Sequence, residues 1–164
     1  MNTKKLTFLS VCVALAMILS YIESLIPPFV AVPGVKIGLA NSVSLFILYA
    51  YGAREAACVS IIRVCLSALL FGSTVSLIYS ISGAALSLVG MIILKRIPLF
   101  NVLTVSVSGA VLHNAAQIIC ACLLMENAAI AYYLPVLIIS GTLAGVAIGT
   151  LSALLLKKLE KVIK

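Results

Sequence analysis

Residues 6–26 read LTFLSVCVALAMILSYIESLI, an apolar run whose one charged residue, Glu23, sits near its far end. About twenty such residues are needed to cross the hydrocarbon core of a bilayer as a helix. Lys4 and Lys5 precede the run and Pro27-Pro28 follow it, which is how a membrane helix is bounded. A basic head before an apolar stretch also opens secretory signals. This run, however, is long enough to span and no small-residue cleavage site follows it, so it reads as a first transmembrane helix. The remaining sequence has the same character. Of 164 residues, 64% are hydrophobic and 9% charged, against about 25% charged in soluble domains, and mean hydropathy is +1.31. Too little polar surface exists to coat a soluble globule. The expected fold is all-α: one integral membrane domain over residues 1–164.

Working outward, further apolar runs predict spans at 37–51, 53–71, 75–94, 99–125 and 128–156, beside the first at 6–26. Pro33-Gly34, Gly52, Gly72-Ser73-Thr74, Lys95-Arg96-Ile97-Pro98 and Glu126-Asn127 supply the breaks. The 37–51 run is short, since fifteen residues reach only about 22 Å at helical rise. It must tilt, start earlier or cross only partly. Six spans place both termini on one side, together with Lys4, Lys5, Arg54, Lys95, Arg96, Lys157, Lys158, Lys161 and Lys164. Lys36 alone falls at the opposite boundary, and Arg63 falls within a span. The positive-inside rule makes the basic side cytoplasmic. The protein is therefore expected in the cytoplasmic (inner) membrane, multi-pass, with cytoplasmic N- and C-termini.

The net charge of +7 is explained by these helix ends, so no nucleic-acid partner is expected. Cys12, Cys58, Cys65, Cys120 and Cys122 lie inside apolar runs without Cys-x-x-Cys or zinc spacing. They read as small helix residues, with no metal or cofactor expected. Small residues at three- or four-residue steps let another backbone approach closely. Such rows are Gly141, Gly145, Gly149 and Ala153 in the last span, and Ser76, Ser80, Gly83, Ser87 and Gly90 in the fourth. The first span has Ser10 with Ala14, and Cys12 with Ala16 and Ser20. These rows serve packing within the bundle, or one of them, best placed on the first span, serves a partner subunit.

The polar residues within the apolar runs carry the functional reading. A charge at mid-bilayer costs roughly 2.5–3.5 kcal/mol on insertion scales, and such groups face a cavity or a partner. Arg63 lies near the middle of its span with Ser60 and Ser67 on the same face. His113 and Gln117 share a helix face at i and i+4, with Asn114 beside them. Lys36 and Asn41 open the second span, and Tyr79 lies about one turn into the fourth. In the six-span topology these groups gather toward the extracellular half, as a cavity open to the outside requires. Bland roles compete with this: Arg63 bracing Glu23, a hydrogen-bonded core His113, and Asn41 or Gln117 joining neighbouring helices. Together Lys36, Asn41, Arg63, Tyr79, His113, Asn114 and Gln117 form the candidate solute site, biased by Lys36 and Arg63 toward an anionic or electron-rich ligand.

Several ordered motifs resemble one family. VPGVKIGLAN at 32–41 looks like the signature of the Gx transporter family, also labelled heptaprenyl diphosphate synthase component I. The likeness continues through Arg63 with LFG at 70–72, YSISG at 79–83, HNAAQ at 113–117, YLP at 133–135 and the glycine-rich last helix. That family is similar to the S components of energy-coupling factor (ECF) transporters, six-helix subunits that bind vitamins or related nutrients. The resemblance implies a coupling membrane subunit and two ATPases as partners, contacted through small residues of the first helix. It also implies a lid in the first extracellular loop, residues 27–36.

The synthase label fits the residues poorly. Prenyl diphosphate synthases hold magnesium and diphosphate on aspartate-rich motifs, because hard cations take oxygen ligands. This chain has no aspartate, and Glu23, Glu55, Glu126 and Glu160 are dispersed. No Walker lysine loop is present either. The expectation is a non-enzymatic substrate-binding subunit of an uptake transporter, taking a small nutrient or cofactor precursor from outside and surrounded by membrane lipid. The alternatives are a non-catalytic accessory subunit of prenyl diphosphate or quinone synthesis, and a membrane subunit of a flavin- or quinone-linked redox system.

Overall fold

The computed structural model describes residues 3–25 and 38–163, and every regular element among them is helical. Six α-helices follow in order: α1 Thr3–Leu25, α2 Asn41–Ala50, α3 Ala53–Phe71, α4 Thr74–Lys95, α5 Val102–Leu124 and α6 Leu134–Ile163. A 3-10 helix, Ala128–Tyr133, leads into α6. The polar breaks of the sequence become caps. Ser73 accepts from the Ser76 amide, Asn101 from Thr104 and Asn127 from Ala129, each satisfying one of the amides a helix start leaves open.

Among the described residues, four segments are long and apolar enough to cross a membrane: α1, α4, α5 and the stretch Ala128–Lys158. The expected 37–51 span is realised as the ten residues of α2, which reach about 15 Å at helical rise. The 53–71 span is a helix of nineteen residues, but it carries Arg54, Glu55 and Arg63. The expected span at 99–125 begins instead at Val102, after the turn through Pro98, and ends at Leu124. The last splits into the 3-10 turn and α6.

The short α2 is buried on nearly every side, from Asn41 through Leu48 with only Ser42 partly open. It runs beside α1, α3, α4, α5 and α6, which explains why its sequence is apolar without amphipathic alternation. Phe46 meets Phe8 of α1 with ring centroids 6.2 Å apart, and Phe8 also meets Tyr51 at 5.6 Å. At the same end Lys5 pairs with Glu55 at 2.5 Å, and the Lys95 ammonium donates to the Leu48 carbonyl at 2.6 Å. These contacts gather the start of α1, the end of α2, the start of α3 and the end of α4 at one basic end of the bundle.

The α4–α5–α6 side is the tightest. Ser106 donates to the Gly145 carbonyl at 2.8 Å. Added methyls at Gly145 and Gly149 would lie 2.7 Å from Val107 Cα and 2.8 Å from Ser106 Cβ, so the glycine row of α6 is pressed against α5. The surface is inverted relative to a soluble protein. Leu69 is 81% and Leu143 68% exposed, while Gln117 and Asn114 are wholly buried. Apolar outside and polar inside is the arrangement lipid demands.

Gly145→Ala forces its methyl against backbone that cannot swing aside. It is expected to destabilise the bundle by about 1–3 kcal/mol, read as a lowered unfolding temperature in mild detergent. Ser10→Ala, on an exposed face, should stay within about 0.5 kcal/mol.

Candidate functional site

The polar interior starts from α1. Its inward face carries Cys12, Ala16, Ser20 and Glu23, and the last two, three residues apart, point the same way. The Glu23 carboxylate accepts from the backbone amides of Gly38 and Leu39. It thereby sits where the turn leading into α2 offers amides with no helical partner. Across from it, Arg63 reaches from α3, only 6% exposed, and its Nη1 donates to Ser20 Oγ at 3.2 Å. Glu23 lies within electrostatic reach of this guanidinium. Among the described residues, Arg63 Nε and Nη2 and the neighbouring Ser67 Oγ have no hydrogen-bond partner.

His113 occupies a slot made of two glycines. A methyl added at Gly83 of α4 would lie 2.7 Å from its Cε1, and one at Gly38 would lie 3.1 Å from its Cδ2. Gly38 is doubly constrained, since its φ of +92° is one that side chains rarely adopt. The same carboxylate that fixes Gly38 therefore also fixes one wall of the imidazole slot. Glu23, Gly38, Gly83 and His113 thus bring α1, the turn before α2, α4 and α5 to one place, with Arg63 and Ser20 adjoining through α1.

Asn41 lies one step along α2. Its Nδ2 donates to Ser87 Oγ at 2.5 Å, and its Oδ1 and the nearby Ser44 Oγ have no partner among the described residues. A void of about 10 Å³ adjoins Gly38, Asn41, Ser42 and Met91, at the threshold for one water. Asn114 turns toward α6, donating to the Leu137 carbonyl at 2.7 Å. Gln117 is wholly buried one turn beyond His113. Tyr79, also buried, packs among Ile118, Ala121, Ile130 and Leu137. The antiparallel pairing of Gly83 with His113 and Ser87 with Gly109 brings it level with Gln117.

Of the seven candidate site residues, six are buried in the bundle interior. Lys36 lies outside the described residues, as does the 27–36 segment expected to form a lid. Among the small residues, Gly141, Gly145 and Gly149 all face α5 of the same chain. Ala16 is buried, and Ser10 and Ala14 lie on the open face of α1. The sequence reading left Gly38, Ser20 and Ser87 out of the site. Their signals are faint: a glycine inside VPGVKIG, and serines facing inward within apolar runs.

An all-helical bundle with an apolar surface, several membrane-crossing helices and a charged interior defines a multi-pass membrane protein. The family model described as heptaprenyl diphosphate synthase component I matches residues 12–155, and the chain belongs to that family. No curated protein and no solved structure matches it.

The imidazole slot has a simple test. Gly83→Ala drives a methyl into a ring whose other side is held by Gly38, and is expected to destabilise the protein by about 1–3 kcal/mol. Adding His113→Ala should recover part of that loss in a double-mutant cycle of detergent unfolding. Additive effects would show that ring and glycine are not in contact.

Proposed function

We propose that the protein is the substrate-binding subunit of an uptake transporter, similar in build to the S components of ECF transporters. The observation that carries this reading is the buried polar cluster. Arg63, Glu23, His113, Asn41, Asn114 and Gln117 stand inside an apolar bundle, and Arg63 Nε and Nη2, Asn41 Oδ1 and Asn114 Oδ1 have no hydrogen-bond partner among the described residues. Leaving such groups unmet costs about 1–3 kcal/mol each, more when charged. A polar solute that meets them offsets this cost when it binds.

In this reading all six helices count as crossings, with α2 and α3 completed by their neighbours, in the cytoplasmic membrane. The basic end with Lys5, Arg54, Lys95 and Arg96 faces the cytoplasm by the positive-inside rule. The cluster formed by Glu23, Gly38 and His113 then lies in the outer half, suited to capture from outside. Arg63, His113, Asn41, Asn114 and Gln117 bind the solute, Tyr79 shapes the wall, and Lys36 adds charge near the entrance. No catalytic step is assigned. Energy for inward release comes from ATPases acting through a coupling subunit, since the sequence holds no nucleotide loop. Small residues of the first helix, Ser10 and Ala14 on its open face, supply the contact with that subunit.

A second reading has its own support. Two apolar clefts open to the side, of about 320 Å³ between α3 and α4 and about 360 Å³ among α1, α2 and α6. They suit a hydrocarbon chain, as an accessory subunit binding a prenyl diphosphate would need.

Native mass spectrometry of the protein in mild detergent, with extraction of bound small molecules, separates the two. A water-soluble nutrient or precursor is expected, lost in Arg63→Ala. A prenyl diphosphate or quinone would transfer the assignment to the accessory role. Topology is checked independently: reporters fused after Lys164 and inserted at Asn127 should report cytoplasmic and external locations respectively. Both on one side would rule out the six-crossing arrangement.

A further inference from the structure

A guanidinium has two distinct edges. Nη1 lies on the side of the aliphatic stem, whereas Nε and Nη2 point together along the other edge as a planar, two-pronged donor. Arg63 commits Nη1 to Ser20 at 3.2 Å. The two atoms of its forked edge are the ones with no partner among the described residues, and the side chain is only 6% exposed. The nearby carboxylate does not use up this fork: Glu23 is hydrogen-bonded by the Gly38 and Leu39 amides. One helical turn from Arg63 on the same buried face, Ser67 presents a hydroxyl that also has no partner among the described residues. Three donors on one face of α3 are thus set out for a single acceptor group with two oxygens side by side.

We infer that the Arg63 Nε/Nη2 edge, assisted by the Ser67 hydroxyl, is the receptor for a carboxylate on the transported solute. The inference rests on the solute-binding reading above and narrows its substrate class. A carboxylate matches the fork bidentately and carries one negative charge. A phosphate dianion would add a second charge beside Glu23, with one guanidinium to balance both. Tight binding by the fork leaves Ser20 to hold the guanidinium in register and Glu23 to hold the turn at Gly38. Lysine at position 63 keeps the charge and loses the two-pronged geometry.

The test is thermal unfolding and equilibrium binding in mild detergent against matched pairs at millimolar concentration. The probes are nicotinate with nicotinamide, biotin with biotinamide, pantothenate with pantothenol, and each proteinogenic amino acid with its amide. Inorganic phosphate and pyridoxal phosphate serve as the phosphate arm. Wild type, Arg63→Lys, Ser67→Ala and Thr150→Ala, on an exposed face of α6, are compared, so that a failure of Arg63→Ala to fold is immaterial. The expected result is that at least one carboxylate stabilises wild type and its neutral partner does not. Its affinity should fall about tenfold or more in Arg63→Lys, the scale of a lost charge-assisted bond. The loss should be smaller in Ser67→Ala and absent in Thr150→Ala. A neutral probe that binds equally to wild type and Arg63→Lys overturns the carboxylate assignment and leaves the solute-binding reading standing. Stabilisation by the phosphate arm alone overturns it in favour of a phosphorylated solute. No stabilisation by any probe overturns both.

Discussion

The bond from the Glu23 carboxylate to the amides of Gly38 and Leu39 is what the interior of this bundle depends on. In lipid, a backbone amide at the start of a helix has no water to turn to, so a side chain must meet it. Glu23 does so from α1, and in doing so it fixes where α2 begins. With its start tied there and its end held by Phe8 and Lys95, the ten-residue helix is suspended among five neighbours. Gly38, positioned by the same carboxylate, then forms one wall against His113. One side chain thereby sets the seat of a helix and the packing of an imidazole.

The two sides of the bundle are built on different principles. Between α4, α5 and α6, glycine and serine bring backbones close enough that a single methyl would collide. Dispersion and interhelical hydrogen bonds such as Ser106 to Gly145 do the work there, because lipid supplies no hydrophobic drive between helices. On the α1–α2–α3 side the helices touch less closely, and apolar clefts open beside α1 and α3. The charged groups Glu23 and Arg63 belong to this looser side, whereas His113 belongs to the tight one. The polar cluster lies on the seam between them.

Much of this was legible in the residues, for reasons that differ by element. The long runs that became α1, α4, α5 and α6 announce themselves by length, since few other structures need twenty apolar residues. The 37–51 run did not, because an apolar stretch of that length reads alike whether it faces lipid or other helices. Only the five surrounding helices make α2 a buried core element, and surroundings are not written in a local window. Arg63, His113, Asn114 and Gln117 stood out because a polar group in an apolar run must have a reason. Their neighbours Ser20, Ser87 and Gly38 did not, because serine and glycine are ordinary in membrane helices. The small-residue row of α6 was visible too, but whether it faced a partner or α5 is a question of rotation about the helix axis that spacing alone leaves open.

The chemistry of the interior follows from that seam. Asn41 and Asn114 each spend their amide donor on a neighbouring helix, on Ser87 and on the Leu137 carbonyl. Each keeps an oxygen with no partner among the described residues. Arg63 keeps two donors in the same condition. A structural brace alone has no use for leftover capacity, since each unmet group lowers the stability of the folded state. Groups that are held firmly on one side and left open on the other are better explained as preorganised for something that comes and goes. That argument attaches function to the half-satisfied atoms rather than to the buried residues as such. It sets Arg63 and Asn41 ahead of Tyr79, which is buried among apolar neighbours and needs no visitor to account for its position.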